Sequence, residues 1–391
     1  MKKLVGHRSN ELTLLIELLD SEKVKLLKQN KHLFSKVNWE VFLELTSYHR
    51  VYPTIYKNIK LLDSPLVPTE VVASLHRHYV ENTMRMMQLT AEMERVCHVF
   101  QQHSLNVIIL KGPILSYQLY EDLSSRTSND LDVLIDLEDL DKMTDVLGTL
   151  GYQIAYEPPR MLEDWKVQNH HIEFYNKEKG CEIEIHWKLN PGPTNEPSFK
   201  EMWQHKIRVP VTTSAVYGLD EAYLLYHLIT HGARHGWFRL RWLTDIDQLL
   251  KRTDDHQRLI FLLKKYNYSY LIGQYVHLVS DVLDQPIPAE LLPYGSSHKA
   301  RSLAKKAATF IENKVDVDHP PSGWEKSCTD YLYSIKNRSQ KWQFFIRKAY
   351  PNSWDAQVLP LPKSLYFLYI PLRPILGLWR YTRRRFFSVK G

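Results

Sequence analysis

The chain has 391 residues, of which 44% are hydrophobic and 24% are charged. This composition is typical of an ordinary soluble globular protein with room for two or three domains, and it excludes collagenous, disordered and disulfide-built chains. The formal net charge of +7 suits polyanionic ligands, which include nucleotide phosphates, nucleic acid and anionic membrane surfaces.

The cysteines and the start of the chain bear on its compartment. Cys97, Cys181 and Cys328 are far apart and odd in number, so reduced thiols are expected rather than a zinc or disulfide framework. The basic residues 1–8 are not followed by an apolar region, so no secretory signal is expected. No stretch reaches the ~18 uncharged apolar residues of a spanning helix. These features favour a cytoplasmic protein.

Residues 1–105 are predicted to form an N-terminal helical domain. Leucines recur at helical spacing over 12–19, and Asn38 is predicted to cap the helix that follows it. A long helix is predicted from Pro68 to about residue 102. The methionines along that helix are predicted to fill the core rather than to form a ligand-binding stripe: Met84, Met87 and Met93.

Residues 106–215 change to alternating strands and helices, and they are predicted to form an α+β domain with a small mixed sheet. A Lys111-Gly112-Pro113 turn ends the first strand, and proline suits the first turn of the next helix. The predicted strands are 107–110, 130–135, 152–156, 171–175 and 181–187, and the predicted helices are 114–120 and 137–150.

The rest of the chain is predicted to be helical up to a distinct end. Residues 216–350 read as a C-terminal helical domain, and residues 351–391 as a basic, aromatic tail. The predicted helices are 219–235, 239–252, 255–266, 268–283 and 297–312.

Three carboxylates on predicted strands carry the chemistry. Asp130 and Asp132 are two residues apart, so both point to one face of their strand. A neighbouring strand could bring Glu184 beside them. Crowded carboxylates are costly to keep ionised without a cation, and Mg²⁺ prefers such oxygen ligands. An Asp-Leu-Asp run alone is more often a solvated strand end, but the ordered set of strand, glycine turn, helix and two acidic strands is more specific.

The quoted motifs resemble the "uncharacterised nucleotidyltransferase" family of the polymerase-β-like nucleotidyltransferase superfamily. They are Leu110-Lys111-Gly112, Leu119-Tyr120, Arg126, the run over 130–135, Glu184-Ile185-His186-Trp187 and the block over 227–245. The resemblance covers roughly residues 35 to 250, with a weaker one near Arg373-Pro374. It implies a nucleotidyltransferase fold with helical regions on both sides of the sheet, and family members look bacterial.

The resemblance implies roles for several residues. Asp130, Asp132 and Glu184 would bind Mg²⁺, with Mn²⁺ as the alternative, and Glu184 could act as the base. Gly112 would let the backbone approach the phosphates at a helix N-terminus. Lys111 and Arg126 would contact the nucleotide. The implied reaction moves a nucleoside monophosphate from an NTP, with ATP as the first candidate, to an unidentified sugar, small molecule, peptide or protein.

One departure from the superfamily leaves a second function class open. Position 113 is proline, where a serine or glycine usually follows the turn glycine, so a hydroxyl contact to phosphate is missing. The alternative is a catalytically silent module of the same fold that binds a nucleotide or a protein partner. Mg²⁺-dependent NTP consumption separates the two hypotheses.

Several cationic residues have competing interpretations. Arg126 either grips phosphate or pairs with Glu121 or Asp122 at the surface. Asp245 is interpreted as structural, with Arg241, four residues before it, as the arginine that it orients. The helical block suggests acceptor or phosphate contacts by His231 and Arg234, while His186 either joins the site or orders Glu184. A zinc site is the weaker interpretation of three histidines spaced four residues apart: His227, His231 and His235.

The tail allows three interpretations. Aromatic residues beside Arg383-Arg384-Arg385 suit peripheral contact with a membrane interface or an RNA-binding surface. Two prolines and Arg373 argue against a spanning helix. The third interpretation, which is favoured, is a final helix packed on the core with a solvated basic end, and nucleic acid is the least favoured partner.

Overall fold

The computed structural model describes residues 8–27, 29–62, 65–162, 164–192, 194–349 and 352–387. The basic start of the chain, residues 1–7, and the last four residues of the predicted tail lie outside this range. Helices dominate, and they surround one small mixed sheet, so the α+β fold class is confirmed.

Six helices precede the sheet. They are α1 (Asn10–Glu17), α2 (Ser21–Leu27), α3 (Lys31–Ser35), α4 (Trp39–Tyr48), α5 (Tyr52–Leu62) and α6 (Thr69–Gln102). The predicted cap is confirmed, because the Asn38 side chain accepts hydrogen bonds from the backbone nitrogens of Glu40 and Val41. The methionine prediction is wrong in part, since Met84 and Met87 are exposed while Met93 is buried. Their positions fall on the solvent face of α6.

The sheet elements follow the predicted order. They are β1 (Ile108–Ile109), α7 (Pro113–Tyr120), β2 (Asp130–Leu134), α8 (Leu140–Thr149), β3 (Gln153–Tyr156), α9 (Trp165–Gln168), β4 (His171–Asn176), β5 (Cys181–His186), α10 (Phe199–Gln204), β6 (Ile207–Arg208) and β7 (Tyr217–Gly218). The main sheet has the order β1-β2-β5-β4-β3, with β2 and β5 parallel and the other pairs antiparallel. The strands β6 and β7 form a separate hairpin.

The C-terminal helices also match the predicted spans closely. They are α11 (Glu221–Arg234), α12 (Leu240–Lys251), α13 (His256–Lys265), α14 (Ser269–Leu278), α15 (His298–Glu312), α16 (Glu325–Ser334), α17 (Arg338–Ala349), α18 (Ser353–Val358) and α19 (Tyr369–Phe387). The predicted end of the fourth of these spans is a π-helical turn, Val279–Leu283.

The two faces of the sheet differ because strand side chains alternate. One face, which includes Leu131, Val133, Ile183 and Ile185, packs with α6 and α8 in an apolar core. A second core joins residues of α1 to α6 with residues of α11 to α16. The helix α6 contributes to both cores, so the N- and C-terminal helices enclose the sheet together. The predicted domain boundaries stay a prediction.

The loop before β2 is held by helices from both ends of the chain. The Asn82 side chain of α6 donates to the carbonyls of Ser124 and Arg126, at 3.1 and 3.3 Å. Arg241 of α12 donates to the carbonyl and hydroxyl oxygens of Thr127, at 2.7 and 2.8 Å. These bonds fix the backbone that leads into the first acidic strand.

A buried ion pair closes the same loop on α12. Arg126 Nε lies 2.9 Å from Asp245 Oδ2, and both side chains are almost fully buried. Tyr120 donates to the other carboxylate oxygen at 3.0 Å. Asp245 therefore holds Arg126 rather than the predicted Arg241, and Arg126 has neither of the surface partners considered for it.

The tail forms a small core of its own against the loop near residue 162. Ala356, Tyr369 and Leu376 are buried together, and the Ser353 hydroxyl lies 2.9 Å from the backbone nitrogen of Leu162. Several apolar side chains of this segment are exposed, among them Phe367, Ile370 and Ile375. None of the helices in the described ranges combines the length and hydropathy that a membrane span requires.

We predict that Asp245→Asn lowers the free energy of unfolding by about 3–5 kcal/mol, because it leaves the Arg126 guanidinium buried without a counter-charge. Urea denaturation followed by circular dichroism measures this. The matched control is Glu121→Gln, which breaks the exposed pair with Arg252 and should cost less than about 1 kcal/mol. Equal effects of the two substitutions would contradict a structural role for the buried pair.

Candidate functional site: an acidic sheet face

Five carboxylates lie on one face of three adjacent strands. The register pairs Asp132 with Glu184 across β2 and β5, and Glu184 with Glu173 across β5 and β4. The next row pairs Asp130 with Glu182. Because residues two apart on a strand share a face, all five side chains point to the side opposite the apolar core. The sequence predicted Asp130, Asp132 and Glu184, but it did not single out Glu173 or Glu182 as site residues.

Asp132 is the most buried member, with 1% of its surface exposed. Its Oδ1 lies 2.8 Å from Lys111 Nζ and 3.1 Å from His186 Nε2, and the same imidazole nitrogen lies 3.0 Å from Glu184 Oε2. Oδ2 of Asp132 is buried and has no hydrogen-bond partner among the described residues. One carboxylate oxygen is therefore left available for a further ligand.

The charges of this cluster stabilise one another. Burial opposes ionisation of Asp132, but Lys111 and His186 hold its pKa well below the usual range. Burial also opposes protonation of His186, yet hydrogen bonds to Asp132 and Glu184 raise its pKa. The pKa of Glu184 is lowered, because its hydrogen bond from His186 outweighs burial. The directions of these shifts favour ionised Asp132 and Glu184 with the proton held on the imidazole between them.

Asp130 stands beside this cluster rather than in it. Its Oδ1 lies 3.1 Å from the Ser128 hydroxyl, and burial together with the charge of Asp132 raises its pKa. Among the described residues, the groups whose ligand atoms all lie within 4.8 Å of one another include Asp132, Glu184 and His186 but not Asp130. A bound cation would have to draw Asp130 inward by a side-chain rotation.

The glycine turn lies next to the start of β2. Gly112 has φ +78°, a conformation that L side chains rarely adopt, and a Cβ there would come within 3.4 Å of the Asp130 carbonyl. Pro113 is the first residue of α7, as predicted. The hydroxyl of Ser128 lies 4.0 Å from the position of that Cβ. A hydroxyl therefore stands beside the turn even though position 113 cannot provide one.

Imidazoles extend the site along β4. His171 is paired in register with His186, and its Nε2 lies 3.2 Å from Glu173 Oε1. Two further sets of ligand atoms within 4.8 Å involve His171, one with Glu173 and Glu184 and one with His170 and His186. Alternation along 171–175 was the sequence signal that could have placed His171 and Glu173 on this face.

The histidines of α11 line up but do not form a metal site. His231 packs between His227 and His235, with ring centroids 5.6 and 4.4 Å away. Within the described part of the chain, none of the three belongs to a group close enough to share an ion. Burial lowers their pKa values, to about 4 for His235. The lowered pKa values favour neutral imidazoles, and His235 Nδ1 is in addition hydrogen-bonded to Asp318.

Arg234 lies on the same helix and opens onto a cavity of about 240 Å³. Its Nη2 lies 3.4 Å from His231 Nδ1, and its buried Nε has no hydrogen-bond partner among the described residues. The cavity is lined by further polar side chains, which include Asn190, Thr230, Asp318, Lys336 and Gln340. Arg234 therefore lines this cavity, and the charges of Glu184 and Asp132 act on its guanidinium, whereas His231 contacts Arg234 without lining the cavity.

The donor set fits a divalent cation. Two ionised carboxylates, an orphaned carboxylate oxygen and a neighbouring imidazole converge at Asp132. Carboxylate oxygens alone suit Mg²⁺, while the imidazole would also suit Mn²⁺. Lys111 and His186 both bond to the other carboxylate oxygen of Asp132, Oδ1.

Comparison with known proteins gives one family match. The profile of a family described as "Uncharacterised nucleotidyltransferase" matches residues 35–284, which is more than half of the chain. Among curated proteins, none matches the chain.

We predict that acid destabilises the protein through its buried histidines. Burial lowers the pKa of His49 to about 3 and holds that of His227 well below its usual range, so both are neutral when folded. Their contribution is present above the unfolded pKa of about 6.5 and is lost as pH falls. The raised pKa of His186 acts in the opposite sense, since its contribution is lost as pH rises. Histidines with a lowered pKa outnumber His186, so the free energy of unfolding should fall between pH 7 and 5.

Urea denaturation from pH 5 to 8 checks this. His227→Gln should reduce the slope of the unfolding free energy against pH by up to about 1.4 kcal/mol per pH unit, which corresponds to one proton fewer taken up on unfolding. The exposed His32 gives the matched control, and His32→Gln should leave the slope unchanged. A wild-type stability that is flat from pH 7 to 5 would contradict the prediction.

Proposed function

The chain belongs to the uncharacterised nucleotidyltransferase family, and on that premise we propose that it moves a nucleoside monophosphate from an NTP to an acceptor with the help of Mg²⁺. ATP is the first candidate for the donor. The acceptor would carry a nucleophilic oxygen and could be a sugar, another small molecule, a peptide or a protein side chain.

One observation carries the proposal. The buried Oδ2 of Asp132 has no partner among the described residues, and it belongs to a carboxylate–imidazole group compact enough to share an ion. A buried polar atom without a partner is costly, so such atoms mark places where a ligand completes the structure. A cation that also binds phosphate oxygens would supply the missing contact.

The reaction balances as an oxygen-for-oxygen exchange at the α-phosphorus. The acceptor oxygen forms a bond to that phosphorus, the bond to the bridging oxygen of the β-phosphate breaks, and pyrophosphate leaves. The acceptor hydroxyl gives up one proton. Bound Mg²⁺ would supply Lewis-acid charge neutralisation of the phosphates.

The residues of the chain then have separate tasks. Asp130, Asp132 and Glu184 would hold the cation, and the ionised Glu184 could take the acceptor proton. His186 donates to Glu184 and orients it. Lys111 donates to Asp132. With a cation bound at Asp132, the Lys111 ammonium would contact the phosphates. Gly112 would let the donor approach the backbone at the start of α7.

Arg126 fits this scheme only indirectly. Its Nε is bound to Asp245, so phosphate could reach only the remaining guanidinium nitrogens. We therefore assign Arg126 to holding the loop before β2. The cavity lined by Arg234 is the proposed acceptor side, because its lining is polar and the charges of Glu184 and Asp132 act on Arg234.

The tail is a proposed site of peripheral membrane contact. Phe367 and Ile375 are each 63% exposed, and other apolar side chains of the segment are exposed to a similar extent. Exposed apolar side chains beside a basic run in the sequence suit an anionic membrane interface. If the protein does not bind vesicles, a protein partner is the favoured occupant of this surface.

We predict Mg²⁺-dependent binding of ATP that Asp132→Asn weakens at least tenfold, because the amide cannot provide a charged metal ligand. Calorimetric titration of ATP, with Mg²⁺ and with EDTA, measures the affinity, and pyrophosphate release measures turnover. The control Asp254→Asn changes an exposed aspartate in the loop between α12 and α13 and should match wild type. Thermal unfolding establishes that each variant is folded.

The same titration tests the alternative. If folded wild type binds ATP but releases no pyrophosphate with any candidate acceptor or with water, the catalytically silent module is favoured. If it binds none of the four NTPs with Mg²⁺ or Mn²⁺, the proposed donor is wrong.

We predict that the protein sediments with vesicles containing anionic lipid and that Phe367→Gln/Ile375→Gln reduces this partitioning at least tenfold. Each apolar side chain contributes about 1.5–3 kcal/mol when buried. Phe261→Gln on α13 removes a side chain of similar exposure and serves as the control. Partitioning that is unaffected by the double substitution, or absent altogether, would rule out membrane contact through the tail.

A further inference from the structure

Three arginines lie around the entrance to β2 without a carboxylate partner. Arg50 follows α4, Arg239 immediately precedes α12, and Arg241 lies in its first turn. Within the described ranges, none of the three has a carboxylate oxygen within 4.0 Å of a side-chain nitrogen. The Nε atoms of Arg239 and Arg241 are buried and make no hydrogen bond there. Positive charge is thus partly buried in one place without being neutralised.

Hydrogen bonds bring these arginines to the acidic strand. The backbone nitrogen of Leu240 donates to His49 Nδ1 at 3.3 Å, which sets the end of α4 beside the start of α12. Arg50 and Arg239 are the chain neighbours of these two residues. Arg241 in turn binds Thr127, three residues before Asp130. Arg241 is thereby bound to the loop that leads to the first carboxylate, and the charge of Asp130 acts on both Arg50 and Arg239.

The charges around the arginines support one shared environment. Burial and, next to it, the positive charge of Arg239 lower the pKa of Arg50 to about 10, while Asp130 opposes the shift. Burial also lowers the pKa of Arg239, and the charges of Asp316, Asp318 and, more weakly, Asp130 oppose that shift. Arg239 lies over the Phe238 ring, 4.9 Å from its centroid, which holds the guanidinium in place.

Removing a charge from water is costly unless a counter-ion compensates. The charges of Asp316, Asp318 and Asp130 act on Arg239 from beyond ion-pair distance, and Asp318 is bound to His235. An anion from outside the chain would supply the close counter-charge that the guanidiniums lack among the described residues. Guanidinium groups match the geometry of phosphate oxygens, and two of them can divide the charge of a polyphosphate.

We infer that Arg50 and Arg239 bind the terminal phosphates of the donor nucleotide, with Arg241 as a positioning residue that holds Thr127. The inference rests on the proposed function. It also accounts for Pro113, because phosphate contacts from the helical regions would replace the hydroxyl that the glycine turn lacks. The nucleotide would lie between the acidic sheet face and the two arginines.

The test compares Arg50→Gln and Arg239→Gln with the exposed control Arg77→Gln on α6, which removes the same charge. Glutamine is chosen because Arg50 has φ +54°, where β-branched residues are strained. Affinities for Mg²⁺-bound ATP, ADP and AMP are measured by calorimetry. Each site variant should weaken ATP binding about 10- to 100-fold and leave AMP within about twofold, since a charge-assisted hydrogen bond to phosphate is lost.

Stability separates a ligand site from a structural role. Because both arginines lack a counter-charge, Arg50→Gln and Arg239→Gln should unfold at the wild-type temperature or above it. Arg239→Lys keeps the charge but not the fork, and it should recover part of the ATP affinity. A fall in unfolding temperature together with equal losses for ATP and AMP would assign the arginines to the fold and overturn the inference.

Two further probes separate this inference from the proposed function. Inorganic tripolyphosphate should bind wild type and lose affinity in both site variants. If tripolyphosphate binds but no NTP binds in the presence of Mg²⁺, the proposed NTP donor is wrong and the phosphate site at the arginines is retained. ATP binding that both variants retain at wild-type strength would overturn the arginine site alone. A loss confined to single-stranded RNA binding would identify nucleic-acid phosphates as the ligand and overturn the inference as stated.

Discussion

The crowding of carboxylates on one face of the sheet is the constraint around which the rest of the site is arranged. Asp132, Glu184 and Glu173 stand in one cross-strand row, and Asp130 and Glu182 in the next. Like charges at this spacing repel strongly in a partly buried environment. Lys111 and His186 both hydrogen-bond to Asp132 and hold its pKa well below the usual range, so they offset part of that repulsion at the most buried carboxylate.

The other face of the strands is apolar and packs on α6 and α8, so the hydrogen bonds and the ion pair that position the first acidic strand come from the helices. The loop before β2 is bound by Asn82 from one side and by Arg241 and Asp245 from the other, and the apolar core beneath joins residues of both helical regions. Cooperation between distant segments therefore sets the position of Asp130. A cut between the helical regions and the sheet would remove the bonds that hold this loop.

Local patterns were enough to predict most elements, and pairing across the chain was not. Period-two alternation placed Asp130 and Asp132 on one face, and Asn38 predicted the start of α4. The partner of Arg126 lies 119 residues away and follows from how α12 docks, which no spacing rule encodes. Likewise, the position of Glu173 beside Glu184 depends on the register of β4 and β5. Met84 and Met87 were misassigned because a 34-residue helix packs on different neighbours along its length.

The acidic face and the arginines near Asp130 each contain charged groups that are incompletely paired among the described residues. Among the described residues, the sheet leaves a carboxylate oxygen without a hydrogen-bond partner, and the helices leave guanidiniums without a carboxylate within ion-pair distance. The charge of Asp130 acts on Arg50 and Arg239 without forming an ion pair with either. On the proposed function, a metal-bound nucleotide would supply both missing partners. Its cation would bind Asp132, and its terminal phosphates would bind Arg50 and Arg239. Neither the free metal nor the free nucleotide is complementary to both surfaces, so each should bind more weakly than the complex. That coupling would make the helical regions part of the donor site itself rather than a frame around it.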